Sequence, residues 1–227
     1  MKTRSLALLV LLAFAVSACG GALAPQAPAS TQAPANTQAP VGPAVILQDD
    51  FSNSGSGWDQ VSETQGSTDY QDGGYRIFVN EINYSVWANP NQGSYTDVRV
   101  EVDAHKIAGV DDNEFGIICR HADPSNYYAG VITSDGYFGF WRRMDGNDLE
   151  MIGYESMQTS DAIKLGGETN HIRLDCVGST LTLYANGTML GQATDTSISS
   201  GDAGLYAGTF DTAGTDVLFD NFVVYVP

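Results

Sequence analysis

Three stretches of this sequence carry residue types that could do chemistry. In VRVEVDAHKI, Glu101, Asp103 and His105 recur with a period of two, so a strand would aim all three to one side. Paired carboxylates on one face are what glycoside cleavage requires. Val98, Val100 and Val102 alternate with them, however, and the plain reading is the solvated side of a half-buried strand. The second group is rich in oxygen. Asp49 and Asp50 open the segment of globular composition, and Asp216 and Asp220 lie near its end. Calcium takes six to eight oxygen ligands, which separate segments meeting in space could supply. Asp111-Asp112-Asn113-Glu114 is a further loop of this kind. Ordinary loop chemistry in an acidic chain is the competing reading. The third stretch, SDGYFGFWRR at 134–143, sets four aromatic rings and two arginines behind a turn signal. Rings flanked by arginine suit stacking on the apolar face of a sugar and hydrogen bonding to its hydroxyls.

Other chemistries lack their motifs. The sequence contains no G-x-S-x-G, no H-E-x-x-H and no C-x-x-C. His105, His121 and His171 fall on separate segments, which argues against a three-histidine metal site. Catalysis is therefore unsupported. With 27 acidic against 10 basic residues the net charge is −17. Such a surface repels nucleic acid and anionic headgroups.

The elements that must position these residues read as strands. Short runs rich in Val, Ile, Tyr, Phe and Thr alternate with Gly, Asn and Asp, and no helical period is sustained after the first residues. Twelve such runs lie between VILQDDF and DVLFDNFVVYV, which predicts an all-β, antiparallel two-sheet sandwich of jelly-roll type over residues 45–227. Asp135-Gly136 and Asn186-Gly187 suit two-residue hairpin loops, and Asp72-Gly73-Gly74 marks another turn. Counting outward from Asp135-Gly136 places Gly130 opposite Trp141 and Tyr128 opposite Arg143. Phe138 and Phe140 then face the core with Ala129 and Val131. Trp141, Tyr137, Tyr128 and Arg143 form an outward platform, joined by Arg120, which is out of phase with Cys119. These five are the expected ligand-binding residues.

The chain begins MKTRSLALLVLLAFAVSAC. Lys2 and Arg4 precede an apolar run from Leu6 to Val16, too short to span a bilayer, and then small residues. This reads as a signal peptide over residues 1–18. Residues 19–44 follow as a linker in which Gln-Ala-Pro recurs at Gln26, Gln32 and Gln38. A segment without large apolar side chains stays unfolded, and its prolines extend it into a stalk. Cleavage before Cys19 would remove two of the ten bases and none of the acids, leaving a net charge of −19. Cys119 and Cys176 each share a strand face with apolar residues, Phe115 and Ile117 in one case, Ile172 and Leu174 in the other. In an exported domain this predicts a buried disulfide rather than two free thiols.

Two resemblances extend this reading. Val16-Ser17-Ala18-Cys19 resembles the lipobox of bacterial lipoproteins, which implies that Cys19 is lipidated and holds the protein at the cell envelope, facing the extracytoplasmic side. The segments GIICRHADPSNYYAGVITSDGYFGFWR, NHIRLDCVGSTLTLYANG and GDAGLYAGTFDTAGTDVLFDNFVV resemble the concanavalin A-like lectin/glucanase superfamily, more closely laminin-G-like and 3-keto-disaccharide hydrolase-like domains of bacterial surface lipoproteins. The resemblance covers most of residues 46–225. Carbohydrate-binding modules of this fold often hold a structural calcium where the terminal strands meet, which is where Asp49, Asp50, Asp216 and Asp220 would stand. Its family 16 glycoside hydrolases carry E-x-D-x-(x)-E, and here the third acid after Glu101 and Asp103 is missing. The resemblance thus implies a non-catalytic module, binding carbohydrate or an envelope protein. A glycan-cleaving enzyme and a protein-interaction or sensor domain are the alternatives.

Overall fold

A computed structural model describes residues 42–227. The expected signal peptide, Cys19 and all but the last three residues of the linker lie outside the described residues. Sixteen strands form within them. The first eight are β1 (Ala44–Asp49), β2 (Val61–Ser62), β3 (Gly66–Gln71), β4 (Gly74–Val79), β5 (Ser85–Ala88), β6 (Val98–Ala108), β7 (Glu114–Asp123) and β8 (Asn126–Thr133). The others are β9 (Tyr137–Arg143), β10 (Glu150–Met151), β11 (Gln158–Thr159), β12 (Asn170–Val177), β13 (Thr180–Ala185), β14 (Thr188–Thr194), β15 (Asp202–Gly208) and β16 (Thr215–Val226).

All pairings are antiparallel and build two sheets. The first runs β14-β13-β12-β6-β16-β4-β3-β2, with β1 on β16; the second runs β10-β9-β8-β7-β15-β5, with β11 on β9. Alternation explains the packing. Val98, Val100, Val102 and Ala104 of β6 meet Phe115, Ile117, Phe138 and Phe140 of the second sheet in one buried core. The polar residues of β6 face out. There Asp103 accepts hydrogen bonds from His171 Nδ1 at 2.8 Å and Asn221 Nδ2 at 3.0 Å. This is the solvated face expected for Glu101, Asp103 and His105.

Two hairpins close as the sequence indicates. Asp72-Gly73 and Asn186-Gly187 have positive φ at both residues, the requirement of a tight two-residue loop. The hairpin between β8 and β9 differs. Asp135 is not at positive φ, Gly136 is, at 97°, and Ser134, Asp135 and Gly136 all lie in the loop. The Gly136 amide donates to Thr133 O, and the Tyr137 amide to Thr133 Oγ1. A three-residue loop shifts the register by one, so Ala129 pairs with Trp141, Gly130 with Phe140, and Tyr128 with Arg142. The expected inward face of β9 is retained and that of β8 is inverted. Gly130 faces the core, where an added Cβ would lie 2.7 Å from Leu174 Cδ1.

Cys119 of β7 and Cys176 of β12 form a disulfide across the core, with Cα atoms 6.7 Å apart and a sequence separation of 57. It joins one sheet to the other. A chain-entropy account gives a bridge over such a loop about 4 kcal/mol of stability. Non-reducing peptide mapping should recover the two cysteines cross-linked, and Cys119→Ser with Cys176→Ser should destabilise by about that amount. Free labelling of both thiols in unreduced protein would contradict the bridge.

Candidate functional site

The outward face of the second sheet is not a plain solvated surface. Ile118, Tyr127, Ala129, Val131 and Tyr206 form a second apolar cluster there, against which Trp87, Trp141, Leu149 and Met157 pack. Beneath them sits Glu114, only 3 % exposed. Trp141 Nε1 donates to its Oε2 at 2.6 Å, and Tyr206 OH donates to its Oε1 at 2.7 Å. Ser85 Oγ lies 2.7 Å from the same tyrosine oxygen. Burial pushes the Glu114 carboxyl up to about 7, although both donors pull the other way. Trp141 is thus fixed by its edge to a buried carboxyl.

The more open part of the face lies around Trp87 on β5, the strand at the sheet's edge. The cross-strand partner of Trp87 is Tyr206. Its ring centroid is 4.4 Å from that of His121, which in turn is 5.9 Å from Tyr127. Tyr127 is the register partner of Arg143. Three clefts meet at Trp87. One of about 500 Å³ is lined by Asn89, Asn91, His121, Asp123 and Asp202 as well as Asp59. Another, of about 410 Å³, reaches Tyr84, Pro124, Arg143 and Asp148. The third, of about 370 Å³, runs between β5 and the edge of the first sheet past Val61, Glu63 and Thr68.

Buried polar atoms around Trp87 lack partners. His121 Nε2, Arg143 Nε and Asn89 Oδ1 are buried without a hydrogen bond. Groups of this kind are costly unless something satisfies them. Burial lowers the His121 pKa, against the pull of Asp202 and Asp123, so the ring is held neutral. An aromatic edge, unsatisfied polar atoms and open volume beside them make this the candidate recognition site among the described residues.

Solved structures share the architecture. Carbohydrate-binding module CBM66 from Bacillus subtilis aligns at TM-score 0.59 and 16 % identity, over 74 % of this chain and 95 % of its own. A Bacillus subtilis protein of unknown function with a galectin-like fold aligns at 0.57 and 12 %, over 81 % and 96 %. The endo-β-galactosidase from Clostridium perfringens that releases GlcNAcα1-4Gal aligns at 0.55 and 9 %, over 85 % and 65 %. The fold is a concanavalin A-like jelly roll. No family model matches the sequence, and no curated protein matches it. At these identities the likeness concerns the fold alone.

The jelly roll distributes the expected ligand-binding residues unevenly. Trp141, Tyr137 and Arg143 lie on the outward face. Arg143 lines one of the Trp87 clefts; Trp141 is half-buried against the outer cluster, as are Leu149 and Met157; Tyr137 stands apart at the hairpin end, in a separate cleft with Leu165. Two expectations are corrected. Tyr128 points into the core, where its OH donates to Asp195 at 2.5 Å and accepts from the Ile198 amide. The extra loop residue turned it inward and turned Tyr127 outward in its place. Arg120 is 3 % exposed and donates to the carbonyls of Thr96, Ile198 and Gly178. Its φ of 50° breaks the alternation that had placed it outside.

The four aspartates expected to hold calcium do not converge. Asp216 makes a two-pronged pair with Arg76 at 2.7 and 2.6 Å. It precedes Phe222, the register partner of Asp49, by six residues on one strand, a separation of roughly 20 Å. Asp49 accepts from Trp58 Nε1 and the Phe51 amide, Asp50 caps Ser52, and Asp220 pairs with Asp103 across β6. Among the described residues, no group of three His, Cys, Asp or Glu side chains is disposed to hold a metal.

Glu114 generates a pH prediction. Its ordinary pKa of 4.5 rises to about 7 in the folded jelly roll. Between those values the folded state keeps a proton that the unfolded chain has released, so this group's contribution to stability falls as pH rises through that window. Denaturant unfolding at pH 4.5 to 8 should show wild type losing on the order of 3 kcal/mol relative to Glu114→Gln. Parallel profiles for the two proteins would contradict a protonated Glu114.

Proposed function

We propose that this protein is an exported, lipid-anchored module that binds a glycan in the clefts around Trp87 and does not cleave it. The observation that carries this reading is the set of three unpartnered buried polar atoms, on residues that line the clefts, beside an aromatic edge. A sugar ring offers an apolar face for Trp87 and hydroxyls for His121 Nε2, Arg143 Nε and Asn89 Oδ1. Solved relatives in fold that are titled as a carbohydrate-binding module and a glycosidase support the ligand class. The absence of cleavage is supported by the location of Glu114. Its pKa would suit a general acid, yet it lies under Trp141 and Tyr206 and lines none of the three clefts. The lipid anchor rests on the Val16-Ser17-Ala18-Cys19 sequence and the proline-rich sequence after it. The Cys119–Cys176 bridge is in keeping with an oxidising compartment.

Two experiments test this. On a glycan array, Trp87→Ala should lower affinity for a bound glycan at least about tenfold while the unfolding cooperativity stays intact. Wild-type affinity in that variant would overturn the site. In cell fractionation, Cys19→Ala should leave the membrane fraction or accumulate as precursor, and unchanged anchoring would overturn the lipid attachment.

A further inference from the structure

The largest of the three clefts gathers the most carboxylates. Its charged lining is Asp59, Asp123 and Asp202, and among its lining residues there is no lysine or arginine. The remaining titratable group, His121, is held neutral by burial. Hydrogen bonds from Ser125 and Asn126 keep Asp123 ionised by lowering its pKa.

One unsatisfied atom here is a fixed acceptor. Asn89 is 2 % exposed and donates its amide hydrogens to Asp202 Oδ2 at 2.9 Å and Asn91 Oδ1 at 3.4 Å. That orientation leaves its carbonyl oxygen as the atom without a partner. His121 is 8 % exposed, and the free Nε2 of a neutral imidazole accepts when Nδ1 holds the proton. A buried acceptor, a buried neutral imidazole nitrogen, three carboxylates and the ring of Trp87 border one space. The complement of such a lining is a compact group with several donors, a positive charge and affinity for an aromatic ring.

We propose that this cleft takes the ammonium group of an unacetylated amino sugar. The inference rests on the glycan-binding reading and specifies its ligand. A neutral hydroxyl would satisfy one acceptor and leave the carboxylates without a counter-charge. An N-acetyl group would bring one donor, an added carbonyl and no charge.

The test is calorimetry on the full chain with three β-1,4-linked tetrasaccharides that differ only at C2: glucosamine, N-acetylglucosamine and glucose. Spermidine serves as an amine without a sugar. The glucosamine tetramer should bind about tenfold more tightly than the other two sugars at low salt, with the preference shrinking at high salt. Asp59→Asn and Asp123→Asn should each reduce that preference; two variants are used because Asp123 also caps its turn. Equal binding of all three sugars would overturn the ammonium inference and leave the glycan reading standing. Binding of spermidine as tightly as the glucosamine tetramer, with neither neutral sugar bound, would overturn the amino-sugar assignment and the glycan reading. Binding of none of the four would overturn both.

Discussion

One residue in one hairpin decides which side of the second sheet each side chain of β8 occupies. Side chains alternate strictly along a strand, so the three-residue loop of Ser134, Asp135 and Gly136 inverts β8 relative to a two-residue closure. With this register, Gly130 can lie against Leu174 and Leu183, and Tyr128 can bond Asp195 at the core's edge. Tyr127 then joins His121 and Trp87 outside. Under the other register Tyr127 would be a core residue, and the outward face would lose the ring that lies beside His121 and opposite Arg143.

The outward face built in this way has two halves of different character. On the hairpin side Trp141 packs with Leu149 and Met157 against the outer cluster, and Glu114 ties it to Tyr206. On the β5 side Trp87 packs against the same cluster but borders three clefts, and polar atoms beside them are left without partners. Tyr206, bonded to Glu114, pairs with Trp87 across the strands, so the buried carboxyl indirectly positions the ring at the cleft. Preorganisation of this kind keeps the cost of ordering side chains out of the binding step.

Much of this was legible in the sequence, and the exceptions have physical causes. Alternation in FGIIC and IRLDC was enough to place Cys119 and Cys176 inward, and the disulfide follows that phase. The inward set Phe138 and Phe140 and the outward set Trp141 and Arg143 were readable because YFGFWRR differs on its two sides. YYAGVIT is apolar on both sides, so its phase could come only from the loop, and an Asp-Gly pair does not reveal whether Ser134 belongs to that loop. Strand β3, GSTDYQ, is polar and lies near a sheet edge, and β2, β10 and β11 are two residues long; none carries a period to detect. Trp87 was passed over for a different reason. Its neighbours His121 and Tyr206 are 34 and more than 100 residues away in sequence, and only the pairing of β5 with β15 brings them to it.

The central claim is that the clefts around Trp87, and not the rest of the surface, form the binding site. Nuclear magnetic resonance titration of the isotopically labelled protein with a bound glycan tests it most directly. The account predicts shifts concentrated at the Trp87 indole, His121, Tyr127 and Arg143, with the Trp141 indole moving little. Shifts centred on the solvated face of the first sheet, around Arg173 and Tyr184, or on the Tyr137–Leu165 cleft, with the Trp87 signals unmoved, would contradict it.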